Sequence, residues 1–142
     1  MKSFKYLPNK SILRSRLKVD PVSIAQAYFD QGVQAHLQQD LIQALHSYQT
    51  ALQIYPQHVP SLYNLGKVLE TQKHWEEAKA LLQQALSLAP SLFQACHSLG
   101  SIAFEQNDFE QAIVWYQKAL QIEPNLPEVY FDLGRAYHKT KN

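Results

Sequence analysis

All four glycines of this chain keep one step: Gly32, Gly66, Gly100 and Gly134 each follow the last by 34 residues. Pro56, Pro90 and Pro124 keep the same step. Two punctuating residue types do not fall on one period by chance, so the chain is an array. A step of about 34 residues accommodates two helices and two turns per unit. Arrays of helical pairs bury apolar surface between neighbours and act by presenting a surface.

The columns of the repeat give its anatomy. Counting position 1 from Ala25, Val59, Phe93 and Pro127 puts the glycine at position 8. Position 4 holds Tyr28, Leu62, Cys96 and Tyr130; position 7 holds Gln31, Leu65, Leu99 and Leu133; position 11 holds Ala35, Leu69, Ala103 and Tyr137. These offsets form one stripe of a helix. Glycine within it lets a neighbour approach closely, against a propensity cost of about 1 kcal/mol. A second stripe holds Ala44, Ala78 and Ala112 at position 20, Tyr48, Leu82 and Tyr116 at 24, and Ala51, Ala85 and Ala119 at 27. Proline at 32 ends the second helix. Between the helices lie the polar turns Gln38-Gln39-Asp40, Gln72-Lys73-His74 and Gln106-Asn107-Asp108. Asp20-Pro21 reads as an N-cap followed by a proline at the first helical position. The pattern predicts helices over 21–38, 41–54, 60–72, 75–88, 94–106, 109–122 and 127–140.

Composition is globular, with 46% hydrophobic and 18% charged residues in 142. No apolar run reaches the roughly 20 residues of a membrane span. Cys96 is the one cysteine, so there is no disulfide framework, and a reducing cytoplasm is the expected location. Charge is unevenly spread. The leader 1–20 carries Lys2, Lys5, Lys10, Arg14, Arg16 and Lys18 against Asp20, whereas the remainder holds seven basic and eleven acidic groups. The leader lacks the apolar core of a secretory signal. Ile12, Leu13 and Leu17 share one turn-face, a candidate short capping helix, and the run Phe4-Lys5-Tyr6 reads as a solvated tail rather than an acidic-partner contact.

These columns resemble the tetratricopeptide repeat (TPR) family, whose signature is a large residue at 4, Leu-Gly at 7–8, a large residue at 11, Ala at 20, a large residue at 24, Ala at 27 and Pro at 32. Gln31, Ala35 and Ala103 depart from it. The resemblance implies an all-α fold, a right-handed superhelical α-solenoid of helix-turn-helix repeats. Three full repeats cover 25–58, 59–92 and 93–126, a fourth first helix covers 127–142, and a single repeat domain covers 21–142. Pentatricopeptide RNA binders have a longer period and lack this glycine, alanine and proline set, so no nucleic-acid partner is expected.

In the TPR family, positions 5, 6, 9 and 12 usually face the concave groove. Position 5 reads Phe29, Tyr63, His97, Phe131; position 6 reads Asp30, Asn64, Ser98, Asp132. Position 9 reads Val33, Lys67, Ser101, Arg135, and position 12 reads His36, Glu70, Phe104, His138. The resemblance thus implies a groove for a protein or peptide, with Phe29, Tyr63, His97 and Phe131 as anchors. Asp30, Val33, Asn64, Ser98, Lys67, Asp132 and Arg135 lie beside them. The competing reading of each aromatic is packing against the next repeat. The expected function is a non-catalytic interaction module or adaptor. The alternatives are the N-terminal substrate-recruiting arm of a larger enzyme, such as a glycosyltransferase or another transferase, and a self-assembly scaffold. Chaperone adaptors of this family grip a C-terminal carboxylate with Lys at 5, Asn at 9, Asn at 6 of the next repeat, and Lys at 2 and Arg at 6 of the third. Here the equivalents are Phe29, Val33, Asn64, Gln94 and Ser98. One repeat later they are Tyr63, Lys67, Ser98, Glu128 and Asp132. Only Asn64 matches, so an Hsp70 or Hsp90 tail is not the expected ligand. Asn64 is also the sole asparagine at position 6, a partial likeness to the asparagine ladder of O-GlcNAc transferases.

No catalytic residue, metal site or cofactor is expected. The six histidines include no i, i+4 pair on one helix, Cys96 falls in a packing column, and Glu76-Glu77 suits a helix N-terminus. Tyr130, Leu133, Gly134 and Tyr137 repeat the stripe that packs against a second helix, yet the given sequence stops at Asn142. Homo-oligomerisation through this helix, or continuation in a longer protein, is the expectation that follows.

Overall fold

The computed structural model describes residues 20–141. The leader's candidate capping helix lies outside the described residues. Among those described there are seven helices and no strand: α1 Pro21–Leu37, α2 Leu41–Ile54, α3 Val59–Thr71, α4 Trp75–Leu88, α5 Phe93–Glu105, α6 Phe109–Ile122 and α7 Pro127–Thr140. Every expected boundary agrees within one residue. The helices divide into two compact units at a repeat boundary: α1 and α2 belong to the unit ending at His58, and α3 to α7 to the unit beginning at Val59.

Local chemistry sets the ends. Asp20 accepts from the Val22 amide at 3.2 Å, the cap expected before Pro21. In the turn inside each repeat the chain folds back on itself. The Asp40 N–H bonds the Ala35 carbonyl at 2.9 Å, His74 bonds Leu69 at 2.9 Å and Asp108 bonds Ala103 at 2.8 Å. This six-to-one bond requires a left-handed residue just before it. Gln39, Lys73 and Asn107 take that conformation, with φ of 63°, 63° and 62°. The same aspartates then cap the next helix. Asp40 Oδ1 accepts from the Gln43 amide and Asp108 Oδ1 from the Gln111 amide, both at 3.1 Å. His74, in the equivalent place, makes no such cap. A Cβ in the left-handed region costs about 1–2 kcal/mol, whereas glycine also loses more chain entropy on folding. Gln39→Gly and Lys73→Gly are therefore expected to raise stability by about 0.5–1 kcal/mol, and Asn107→Gly by less, because asparagine tolerates this region. Urea midpoints that fall for Lys73→Gly would contradict this.

Inside each repeat the helices lock through one contact. A Cβ built on Gly32 would lie 2.5 Å from Tyr48 Cε1; on Gly66, 2.9 Å from Leu82 Cγ; on Gly100, 2.5 Å from Tyr116 Cε1. The position-8 glycine thus receives the side chain at position 24. The alanines at 20 and 27, Ala44, Ala51, Ala78, Ala85, Ala112 and Ala119, are fully buried beside it. Small residues on either side leave the large residue one place to go, and packing at interior density holds it there.

Candidate functional site

In the first unit, α1 carries Phe29, Asp30 and Val33. Phe29 is half-buried, its ring 5.8 Å from that of Tyr48 and set edge-on to His58 at 5.6 Å. The ring therefore packs on both neighbours. His58, only 4% exposed, was not anticipated, because a polar residue two places after Pro56 reads as linker. Its Nε2 donates to Gln26 Oε1 at 3.0 Å, and Gln26 Nε2 donates to Asp30 Oδ1 at 2.9 Å. Burial lowers the His58 pKa below 6.5, with Asp30 opposing. The sign follows from proton uptake. Below 6.5 the unfolded chain takes up a proton that the folded chain resists, so stability is lost as pH falls through that window. The first unit is expected to weaken between about pH 7 and pH 5, and His58→Gln to flatten that dependence. Chemical denaturation at both pH values checks it; an unchanged slope in His58→Gln would sink it.

The second unit brings together the first helices of three successive repeats, with α3 beside α5 and α5 beside α7. Their shared face is polar and aromatic by turns. His97 Nε2 lies 2.8 Å from Asp132 Oδ2, tying α5 to α7. Asp132 Oδ1 accepts from Arg135 Nη1 at 3.4 Å. The Arg135 guanidinium lies 4.6 Å from the Phe104 ring centre and 5.9 Å from that of Phe131, a cation–π arrangement. The His97 ring meets Tyr116 edge-on at 5.8 Å. The Ser101 hydroxyl donates to the His97 carbonyl at 3.1 Å. Burial pushes the Tyr116 phenol up to about 12, opposed by a hydrogen bond with Ser101. Lys67 Nζ pairs with Glu70 Oε2 at 3.0 Å.

The expected site residues therefore fall into distinct classes. Phe131 is 68% exposed and Arg135 is exposed beside it, both presented to solvent. Lys67, Asn64 and Tyr63 are half-buried on α3, and Tyr63 packs against the cluster of Ala78, Leu82, Ala95, Leu99 and Ile102. His97 and Asp132 are engaged with each other. Ser98 differs from expectation: it is 3% exposed and offers no surface to a partner, because position 6 of α5 turns toward the core. Ser101 and Phe104 stand in the columns read as groove-facing, but nothing in the sequence showed that Phe104 would underlie Arg135.

The Ser101 hydroxyl is engaged with a backbone carbonyl, and burial raises the Cys96 thiol away from its reactive form. Among the described residues no three His, Cys, Asp or Glu side chains gather into a metal-holding group, and no helix is long and apolar enough to cross a membrane.

The family model described as "Tetratricopeptide repeat" matches residues 23–91, and one described as "TPR repeat" matches residues 100–141. The chain belongs to the tetratricopeptide repeat family. No curated protein matches it. Solved structures share the TPR fold at low identity. The first TPR of Spaghetti (RPAP3), bound to the HSP90 peptide SRMEEVD, is 21% identical with a TM-score of 0.82, over 87% of this chain and 98% of that one. The N-terminal domain of stress-induced protein-1 (STI-1) from C. elegans is 21% identical with a TM-score of 0.73, over 84% and 98%. A mutant of the Thermobaculum terrenum O-GlcNAc transferase is 22% identical with a TM-score of 0.78, over 84% of this chain. The present chain spans only 23% of that transferase. These likenesses establish the fold, an all-α solenoid of TPR hairpins.

Proposed function

We propose that this TPR protein is a non-catalytic adaptor whose second unit binds a peptide or protein segment along α3, α5 and α7. One observation carries the reading: Asp132 steadies Arg135 against Phe104, beside an exposed Phe131. A guanidinium so placed keeps donors free for a partner's carboxylate or carbonyls, and the ring beside it supplies apolar area at small entropic cost. Lys67 and Asn64 on α3, and the half-buried Tyr63, extend the same face. In the first unit, Phe29 serves as scaffold, while Asp30 and Val33 are its candidate contacts. The partner is not an Hsp70 or Hsp90 tail, because only Asn64 of the carboxylate-clamp positions matches; the RPAP3 likeness is one of fold. A cytoplasmic setting fits the buried, unpaired Cys96. The transferase-arm alternative gains only a shared fold at 22% identity.

Partner capture from the native source tests the reading. The double variant Tyr63→Ala, Phe131→Ala is expected to lose capture about tenfold or more while keeping its helical circular dichroism. Undiminished capture would overturn the reading.

A further inference from the structure

Position 11 of the repeat is large in two copies, Leu69 and Tyr137, and small in two, Ala35 and Ala103. Leu69 is half-buried and packs against the cluster that holds Ala78, Leu82 and Leu99. Ala103, its equivalent one repeat on, is buried, but its single methyl is too short to fill that place. A hollow of about 170 Å³ remains beside it, bounded by α4, α5 and α6 in the middle of the second unit. The buried Leu99 and Ala103 form its floor, and the half-buried Trp115 forms one wall. Trp115 is fixed in place by packing against two core clusters.

The rim is polar, and its charges are engaged. Lys79 Nζ pairs with Glu76 Oε1 at 2.9 Å, and Asp108 Oδ1 accepts from the Gln111 backbone amide at 3.1 Å. What remains at the mouth are the side-chain amides of Gln83, Gln106 and Gln111, all on exposed residues. We infer that this hollow binds a single neutral sugar ring. Its 170 Å³ lies well below the roughly 300 Å³ at which pockets for drug-sized molecules begin, so the ligand is no larger than one ring. An anion would meet the Asp108 carboxylate. A cation would meet the Lys118 ammonium, 4.4 Å from the centre of the Trp115 ring. A primary amide donates and accepts hydrogen bonds, and so does a hydroxyl. Three such amides above an apolar floor and an indole suit a ligand with hydroxyls on its edge and C–H groups on its face, which describes a pyranose. An aliphatic side chain from a partner would use the floor and none of the amides. The hollow shares no residue with the groove proposed above and does not rest on that reading.

The test titrates the ¹⁵N-labelled full chain with glucose, galactose and mannose. Nuclear magnetic resonance follows the Trp115 indole N–H and the side-chain amides of Gln83, Gln106 and Gln111. At least one sugar is expected to shift these signals together and to saturate in the millimolar range, as befits one small ring. Ala103→Leu gives the third repeat the residue that the second already carries. It should weaken binding about tenfold or more while keeping or raising the melting temperature. Gln111→Ala should weaken binding about fivefold, the loss of one hydrogen bond. Its side chain is exposed and the α6 cap uses its backbone, so this variant keeps the test decisive if Ala103→Leu disturbs the fold. Three results would overturn the proposal: no shift with any of the sugars, shifts unchanged in both variants, or shifts produced by adenine or N-acetyl-leucinamide and by none of the sugars. The last makes a flat base or a partner's side chain the occupant.

Discussion

Tyr116→Ala is expected to lower the unfolding free energy of the second unit by about 3–5 kcal/mol. The ring is 2% exposed, sits on Gly100 and touches His97. Its removal opens a hole that the alanines on either side, Ala112 and Ala119, cannot fill. Tyr116→Phe should lose at most about 1 kcal/mol, because it keeps the ring on Gly100 and removes only the hydroxyl. Both tryptophans, Trp75 and Trp115, belong to the second unit, so their fluorescence during urea denaturation reads this unit alone. If alanine costs no more than phenylalanine, the ring is not the lock described above.

The second prediction sets one substitution against itself. Gly100→Ala is expected to cost about 1–3 kcal/mol, because a Cβ 2.5 Å from the Tyr116 ring forces a rigid, buried side chain off its place. Gly66→Ala should cost less, since its neighbour Leu82, at 2.9 Å, is a more flexible side chain than a ring. Gly134→Ala should instead stabilise the chain by up to about 1 kcal/mol, the ordinary gain in helix propensity, with no neighbour among the described residues to displace. The same chemical change thus has opposite signs in two copies of one repeat. Thermal melts of the three variants decide it. A loss of stability in Gly134→Ala would show that something covers that notch within the chain.

Helix limits were legible because glycine, alanine and proline recur on a fixed step, and each acts through local chemistry that a single sequence displays. The lock was half legible. The column Tyr48, Leu82, Tyr116 announced a large buried residue, but the gap it enters depends on how two helices cross, which no single column states. Site residues were least legible. Ser98 sits at the border between face and core, where a small rotation of α5 decides, and serine is compatible with either side. The family resemblance implied Phe29 and His97 as anchors, and no sequence column announced that their rings would also pack on a neighbour, Tyr48 and Tyr116 respectively. His58 gave no signal, because its partner Gln26 stands 32 residues away.

Asp40 and Asp108 each finish one helix with the backbone N–H and start the next with the carboxylate. One residue holding both duties leaves no slack in the turn. An inserted residue would part them, stranding either a carbonyl of the helix behind or an amide of the helix ahead. Drift in loop length is thereby penalised at these two turns, and the His74 turn, which lacks the cap, is the one left with slack.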